Sequence, residues 1–128
     1  MKRIIIDLDG TLARVQPDTP YEEREPEPEV VETLRRYAAE GFEIVIHSSR
    51  NMRTHNNSIG RINAVTLPVI VQWLDRHQIP YHEIIVGKPW CGLEGFYVDD
   101  RAIRPSEFVR MSFEEISALV AGESSTGE

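Results

Sequence analysis

The sequence is short of the features that would place it outside the aqueous cell interior. It has one cysteine, Cys91, so no internal disulfide can form and a cytoplasmic setting is expected. With no base identifiable beside it, that thiol reads as inert. No apolar run approaches the roughly 20 residues that a membrane-spanning helix needs, so no membrane is expected as a partner. Met1-Lys2-Arg3 leads straight into a strand-like run without the apolar stretch of a signal peptide. Positive charge is also scarce: 14 Lys and Arg stand against 21 Asp and Glu, a net −7, which argues against nucleic acid as the main partner. At 128 residues the chain is expected to form one domain over 1–121, with the Ser- and Gly-rich stretch 122–128 as a disordered tail.

What is present begins with Ile4-Ile5-Ile6-Asp7-Leu8-Asp9-Gly10-Thr11. Three β-branched residues in a row predict a strand buried on both faces, as in the interior of a parallel sheet. Gly10 then frees the chain to turn, so two carboxylates arrive at the strand's carboxyl end, where open α/β folds keep their chemistry. Asp7 and Asp9 stand two apart and point the same way while the backbone is extended. Two like charges so close call for a cation, and a hard divalent metal such as Mg²⁺ suits oxygen ligands. Read alone, the same residues are equally an acidic turn.

The polar stretch 13–29, with four prolines and six acids, predicts a surface loop or small flap. A helix follows from near Pro28 to Glu40, stopped by Gly41, with Val30, Val31, Leu34, Tyr37 and Ala38 as its apolar stripe. Phe42–His47 is the second strand and ends in Ser48-Ser49-Arg50. Residues 51–63 read as an ordered loop or irregular helix entry, and Thr66–Gln78 as a helix with Val69, Ile70, Trp73 and Leu74 inward. Glu83–Val86 followed by Gly87-Lys88-Pro89, and Phe96-Tyr97-Val98 followed by Asp99-Asp100, repeat the device of a short strand with a polar tip. A capping box of Ser112 with Glu115 opens a last helix that is expected to bury Ile116, Leu119 and Val120. If right-handed crossovers make four strands parallel, all four tips share one sheet edge. Nucleophile, proton donor, metal ligands, hydroxyl and fixed cation are what phosphoryl transfer through a carboxyl phosphate requires.

In that order the motifs resemble those of the haloacid dehalogenase (HAD) superfamily of phosphohydrolases. The segments Arg50-Asn51-Met52-Arg53-Thr54, Gly87-Lys88-Pro89-Trp90-Cys91-Gly92 and Gly95 to Phe108 are similar to the small capsule biosynthesis phosphatases. The resemblance implies a three-layer α/β/α, Rossmann-like sheet of mainly parallel strands. It implies that Asp7 is the nucleophile, Asp9 the acid and then base, and Lys88 the charge-neutralising cation. Mg²⁺ would lie on Asp7, the Asp9 carbonyl and Asp99, with Asp100 bound directly or through water. Ser48, and more weakly Ser49, would contact a phosphoryl oxygen; Ser48 could instead cap the segment that follows.

The segments between the first three tips are too short for a folded cap domain, so the core is capless and the site open. The expectation is a homo-oligomer, a tetramer in first place, acting on a small phosphorylated metabolite. Arg50 and Arg53 are candidates for a second anionic group of the substrate, with plain solubility charge as the competing reading. The function expected is a Mg²⁺-dependent phosphomonoester hydrolase on a sugar phosphate or sugar-acid phosphate of capsule or polysaccharide synthesis. A phosphotransferase or mutase using the same aspartyl phosphate, and a noncatalytic binding module, are the alternatives.

Overall fold

The computed structural model describes residues 1–123. By their internal contacts these fall into two compact units, Met1–Trp90 and a second that begins at Cys91. The first holds a parallel sheet in the order β1 (Arg3–Asp7), β2 (Glu43–Ser48), β3 (Glu83–Val86). Register sets Asp7 beside His47 and Ser48 beside Val86, so the three carboxyl ends finish level. The α/β fold class, with a parallel sheet, is the one expected from the β-branched runs.

Helix α1 (Pro28–Ala39) links β1 to β2, with Pro28 at its first turn and Val30, Val31, Leu34 and Tyr37 buried. The return to β3 is irregular: α2 (Ile59–Arg61) runs into a π-helical stretch, Ile62–Thr66, and then into α3 (Leu67–Arg76). The expected helix start at Thr66 is therefore the middle of a longer helical path. Ile70, Trp73 and Leu74 of α3 join Leu8, Leu12, Leu34, Ile44 and Ile46 in a fully enclosed core. The stretch 13–29 is more than a loose flap. Arg14 N–H donates to the Glu25 carbonyl and Glu27 N–H to that of Leu12, closing the excursion at its base, while Arg14 pairs with the Glu25 and Glu27 carboxylates. Within it the 3-10 turn Tyr21–Glu23 packs on α3.

The second unit holds α4 (Pro105–Arg110) and α5 (Phe113–Glu123). The Ser112–Glu115 capping box forms with both reciprocal bonds, at 2.8 and 3.1 Å. Two expectations need correcting here. Among the described residues the sheet has three strands, and Phe96–Asp100 is not a fourth. A strand exists through its ladder, and the three apolar residues between Gly95 and Asp99 make none; Phe96 and Val98 are 80% and 88% exposed. Helix α5 has no buried residue: Ile116 and Val120 are half-buried and Leu119 is exposed. Gly122 and Glu123 of the expected tail belong to α5, and the remainder lies outside the described residues. No described helix is long and apolar enough to cross a membrane.

Candidate active site

At the end of β1 the chain winds at once into a tight turn. The Leu8 carbonyl accepts the N–H groups of Thr11, Leu12 and Ala13 at 3.2, 2.9 and 2.9 Å, and Gly10 N–H donates to the Ala13 carbonyl at 2.8 Å. Gly10 takes φ 87°, which costs a residue with a side chain but not glycine. Leu8 and Leu12 are locked in the core, so the carboxylates on either side of Leu8 are held at the sheet edge.

The two acids have different partners. Asp7 receives Lys88 Nζ at 3.5 Å on Oδ1 and the Thr11 hydroxyl at 3.2 Å on Oδ2, with a third of its side chain exposed. Lys88 is brought there by β3: its N–H donates to the Ser48 carbonyl at 3.1 Å, and Gly87 at φ 88° makes the turn that aims it. Asp9 accepts a two-pronged bond from Arg50, Nε to Oδ2 at 3.0 Å and Nη2 to Oδ1 at 2.9 Å, while Arg24 Nη1 stands 4.0 Å from Oδ1. This fork is the planar match that arginine makes with a carboxylate. His47 lies between Asp7 and Ile85 in register. Burial, and next to it the Lys88 ammonium, push its imidazole below the ordinary 6.5, with Asp7 opposing.

The Ser48 hydroxyl accepts the Arg50 N–H at 3.0 Å, so it caps the turn after β2 and is itself buried. Asn51 follows at φ 62°, fixed by the Thr66 hydroxyl of the π-helical stretch, which donates to Asn51 Oδ1 at 2.7 Å. Ser49 is half-buried and its carbonyl accepts the Met52 N–H; Arg53 is exposed. The structure places Arg50, one of the candidates for a second anionic group of the substrate, against Asp9. Its side chain is 1% exposed and two of its nitrogens are committed to Asp9, because the Ser48 cap and the left-handed Asn51 turn the chain so that Arg50 points back over β1. Tyr21 and Arg24 are neighbours that sequence reasoning missed. The signal was faint: Arg24 is the one basic residue between Arg14 and Arg35, in a stretch crowded with glutamates.

Asp99 and Asp100 belong to the second unit and are exposed; Asp99 Oδ1 accepts the Arg101 N–H at 2.9 Å. Among the described residues no three His, Cys, Asp or Glu side chains gather as a ready metal cage. The donors that the β1 tip offers are the Asp7 carboxylate and main-chain carbonyls. These are hard oxygens of the kind Mg²⁺ takes while keeping waters and a substrate phosphate. The Asp9 carboxylate is occupied by Arg50, so only its carbonyl fits that role.

Comparison with known proteins agrees with this arrangement. The family model described as the polynucleotide kinase PNKP phosphatase domain matches residues 1–89. The crystal structure of an MCSG target from Vibrio cholerae is 56% identical, with a TM-score of 0.91 over 96% of this chain and 99% of that one. A chain in the structure of a Pnkp1/Rnl/Hen1 complex is 20% identical with a TM-score of 0.51, over 86% of this chain and 34% of its own length, a likeness of fold. No curated protein matches. A family match that takes in both acids, the Ser48–Arg50 turn and Lys88 is decisive, and the chain belongs to the HAD phosphatases, in the family of the polynucleotide kinase PNKP phosphatase domain.

Proposed function

We propose that the protein is a cytoplasmic, magnesium-dependent phosphomonoester hydrolase that works through an aspartyl phosphate on Asp7. Its substrate is a small phosphorylated metabolite, a sugar phosphate or sugar-acid phosphate of capsule or polysaccharide synthesis. The observation that carries this reading is the division of labour at the β1 tip: Asp7 faces a lysine 3.5 Å away, and Asp9, two residues on, is held by an arginine fork.

An Asp7 oxygen attacks phosphorus as the ester P–O bond breaks, and the Asp9 carboxyl delivers its proton to the departing oxygen. The carboxylate left on Asp9 is the form that the Arg50 fork fits. Water then gives a proton to Asp9 and attacks phosphorus, so that the Asp7–phosphate bond breaks and inorganic phosphate leaves. Lys88 offsets the charge gathered on Asp7 and the phosphoryl oxygens. Asp7 and the Asp9 carbonyl would hold Mg²⁺, which when bound adds charge neutralisation at the phosphoryl group.

The family description favours a second reading, a phosphorylated polynucleotide end as substrate. The net charge of −7 weighs against it, because polynucleotide binding draws most of its affinity from cationic contacts to phosphates. A phosphate-release screen over sugar phosphates, sugar-acid phosphates and 3′-phosphorylated oligonucleotides, with and without Mg²⁺, decides between them. The expected result is Mg²⁺-dependent release from a sugar or sugar-acid phosphate, lost by at least about a thousandfold in Asp7→Asn. Release confined to the oligonucleotide would overturn the metabolite assignment, and release undiminished in Asp7→Asn would overturn the mechanism.

A further inference from the structure

The stretch between β1 and α1 reaches the site through one aromatic ring. The Arg50 guanidinium carbon lies 4.1 Å from the centre of the Tyr21 ring and that of Arg24 lies 4.3 Å from it. Both arginines address Asp9, Arg50 by its fork and Arg24 at 4.0 Å. Two guanidinium groups beside one carboxylate repel each other, and the electron-rich face of a ring answers positive charge best where water is excluded. Arg50 is in that situation: its side chain is 1% exposed, and Nη1 is buried with no hydrogen-bond partner among the described residues. Oxygen answers two of its nitrogens, and the ring is left to answer the third.

The ring is itself fixed by its neighbours in the chain. The Glu22 carbonyl accepts Arg76 Nη1 at 2.7 Å and the Arg24 carbonyl accepts the Trp73 indole N–H at 2.8 Å, both from α3. Arg24 Nε donates to the Thr19 carbonyl at 3.0 Å, which sets the start of that side chain. We propose that Tyr21 is a positioning residue for the acid–base step: an aromatic plate that holds Arg50 and Arg24 in place so that they fix the Asp9 carboxyl toward the leaving oxygen. This rests on the reading of Asp9 as the proton donor.

The consequence is specific to the leaving group. An alkyl phosphate leaves as a strongly basic alkoxide and needs the Asp9 proton, whereas p-nitrophenolate leaves with little help. Removing the plate in Tyr21→Leu should lower kcat/KM for an alkyl phosphate by about tenfold or more, the scale of loss when a catalytic group is misplaced by an ångström. The value for p-nitrophenyl phosphate should fall far less. Tyr21→Phe, which keeps the ring and drops the hydroxyl, should recover most of the loss.

A second measurement does not depend on turnover. The Arg50 Nε–H proton, bonded to Asp9 under the ring, should exchange slowly with solvent by NMR, and at least tenfold faster in Tyr21→Leu than in wild type or Tyr21→Phe. Equal losses for the two substrates, a Tyr21→Phe variant as impaired as Tyr21→Leu, or unchanged exchange in Tyr21→Leu would each overturn the proposal. A wild-type protein that releases no phosphate would instead sink the phosphatase reading, and the exchange rates would then judge the plate by themselves.

Discussion

Asp7 and Asp9 differ more in their partners than in their chemistry, and Arg50 is the side chain that separates them. A guanidinium at 1% exposure, bonded through two nitrogens to a carboxylate that is 25% exposed, supports both the site and the fold. Arg50→Met should leave Asp9 without its main partner and cost about 1–3 kcal/mol of stability, the range for orphaning a part-buried polar group. Arg50→Lys should recover little of it, because a point charge cannot match both carboxylate oxygens. Urea unfolding midpoints of the two variants check this, and a lysine variant as stable as wild type would show that charge alone suffices. At this scale the sequence was legible in part. Asp7, Asp9 and Lys88 announced themselves as polar tips after β-branched runs, and the register of β1, β2 and β3 does level those tips. The direction of Arg50 was not legible, since it depends on the Ser48 cap and on Asn51 at φ 62°, a turn that the residue types do not dictate. Tyr21 looked like any residue of a polar loop.

The elements show which sequence signals were sufficient by themselves. Helix α1 and its buried stripe followed from Pro28, Gly41 and the spacing of Val30, Val31, Leu34 and Tyr37, because local capping and a single apolar face determine such a helix. Phe96-Tyr97-Val98 carried a strand's residues but is not one of the three strands of the described sheet, because a place in a ladder is not set by composition. The π-helical turn before α3 was also illegible; its product is Thr66, buried and bonded to Asn51. Helix α3 then acts as the anchor for the stretch 13–27, through Trp73 and Arg76. Trp73 is fully buried and donates its indole N–H to the Arg24 carbonyl at 2.8 Å. Trp73→Phe should lose that bond and leave a small void, at a joint cost of about 2 kcal/mol. The anchor's loss should also quicken tryptic cleavage after Arg24 under native conditions, relative to wild type. Unchanged cleavage would mean that the closed base at Arg14, Glu25 and Glu27 holds the excursion without help from α3.

For the whole molecule the relevant quantity is the field of a chain with net charge −7 around a site built for an anion. The local cations Lys88, Arg24 and Arg50 are each engaged with Asp7 or Asp9, so they neutralise the acids at the β1 tip and add little long-range pull on a substrate. A small doubly charged phosphate therefore approaches against a weak repulsion. That repulsion is felt at low salt, where the screening length is about 30 Å at 0.01 M, and is mostly gone at 0.15 M, where it is about 8 Å. At fixed Mg²⁺, kcat/KM for a small phosphomonoester should stay level or rise by up to about threefold across that interval. A polynucleotide substrate held through several phosphates demands the opposite, since cations released on binding make affinity fall steeply as salt increases. The same salt series run on a 3′-phosphorylated oligonucleotide and on the sugar phosphate thus reads the substrate class from the slope alone. A tenfold or greater fall for the oligonucleotide, starting from a higher kcat/KM at low salt than the sugar phosphate reaches, would assign the site to nucleic acid in spite of the chain's charge.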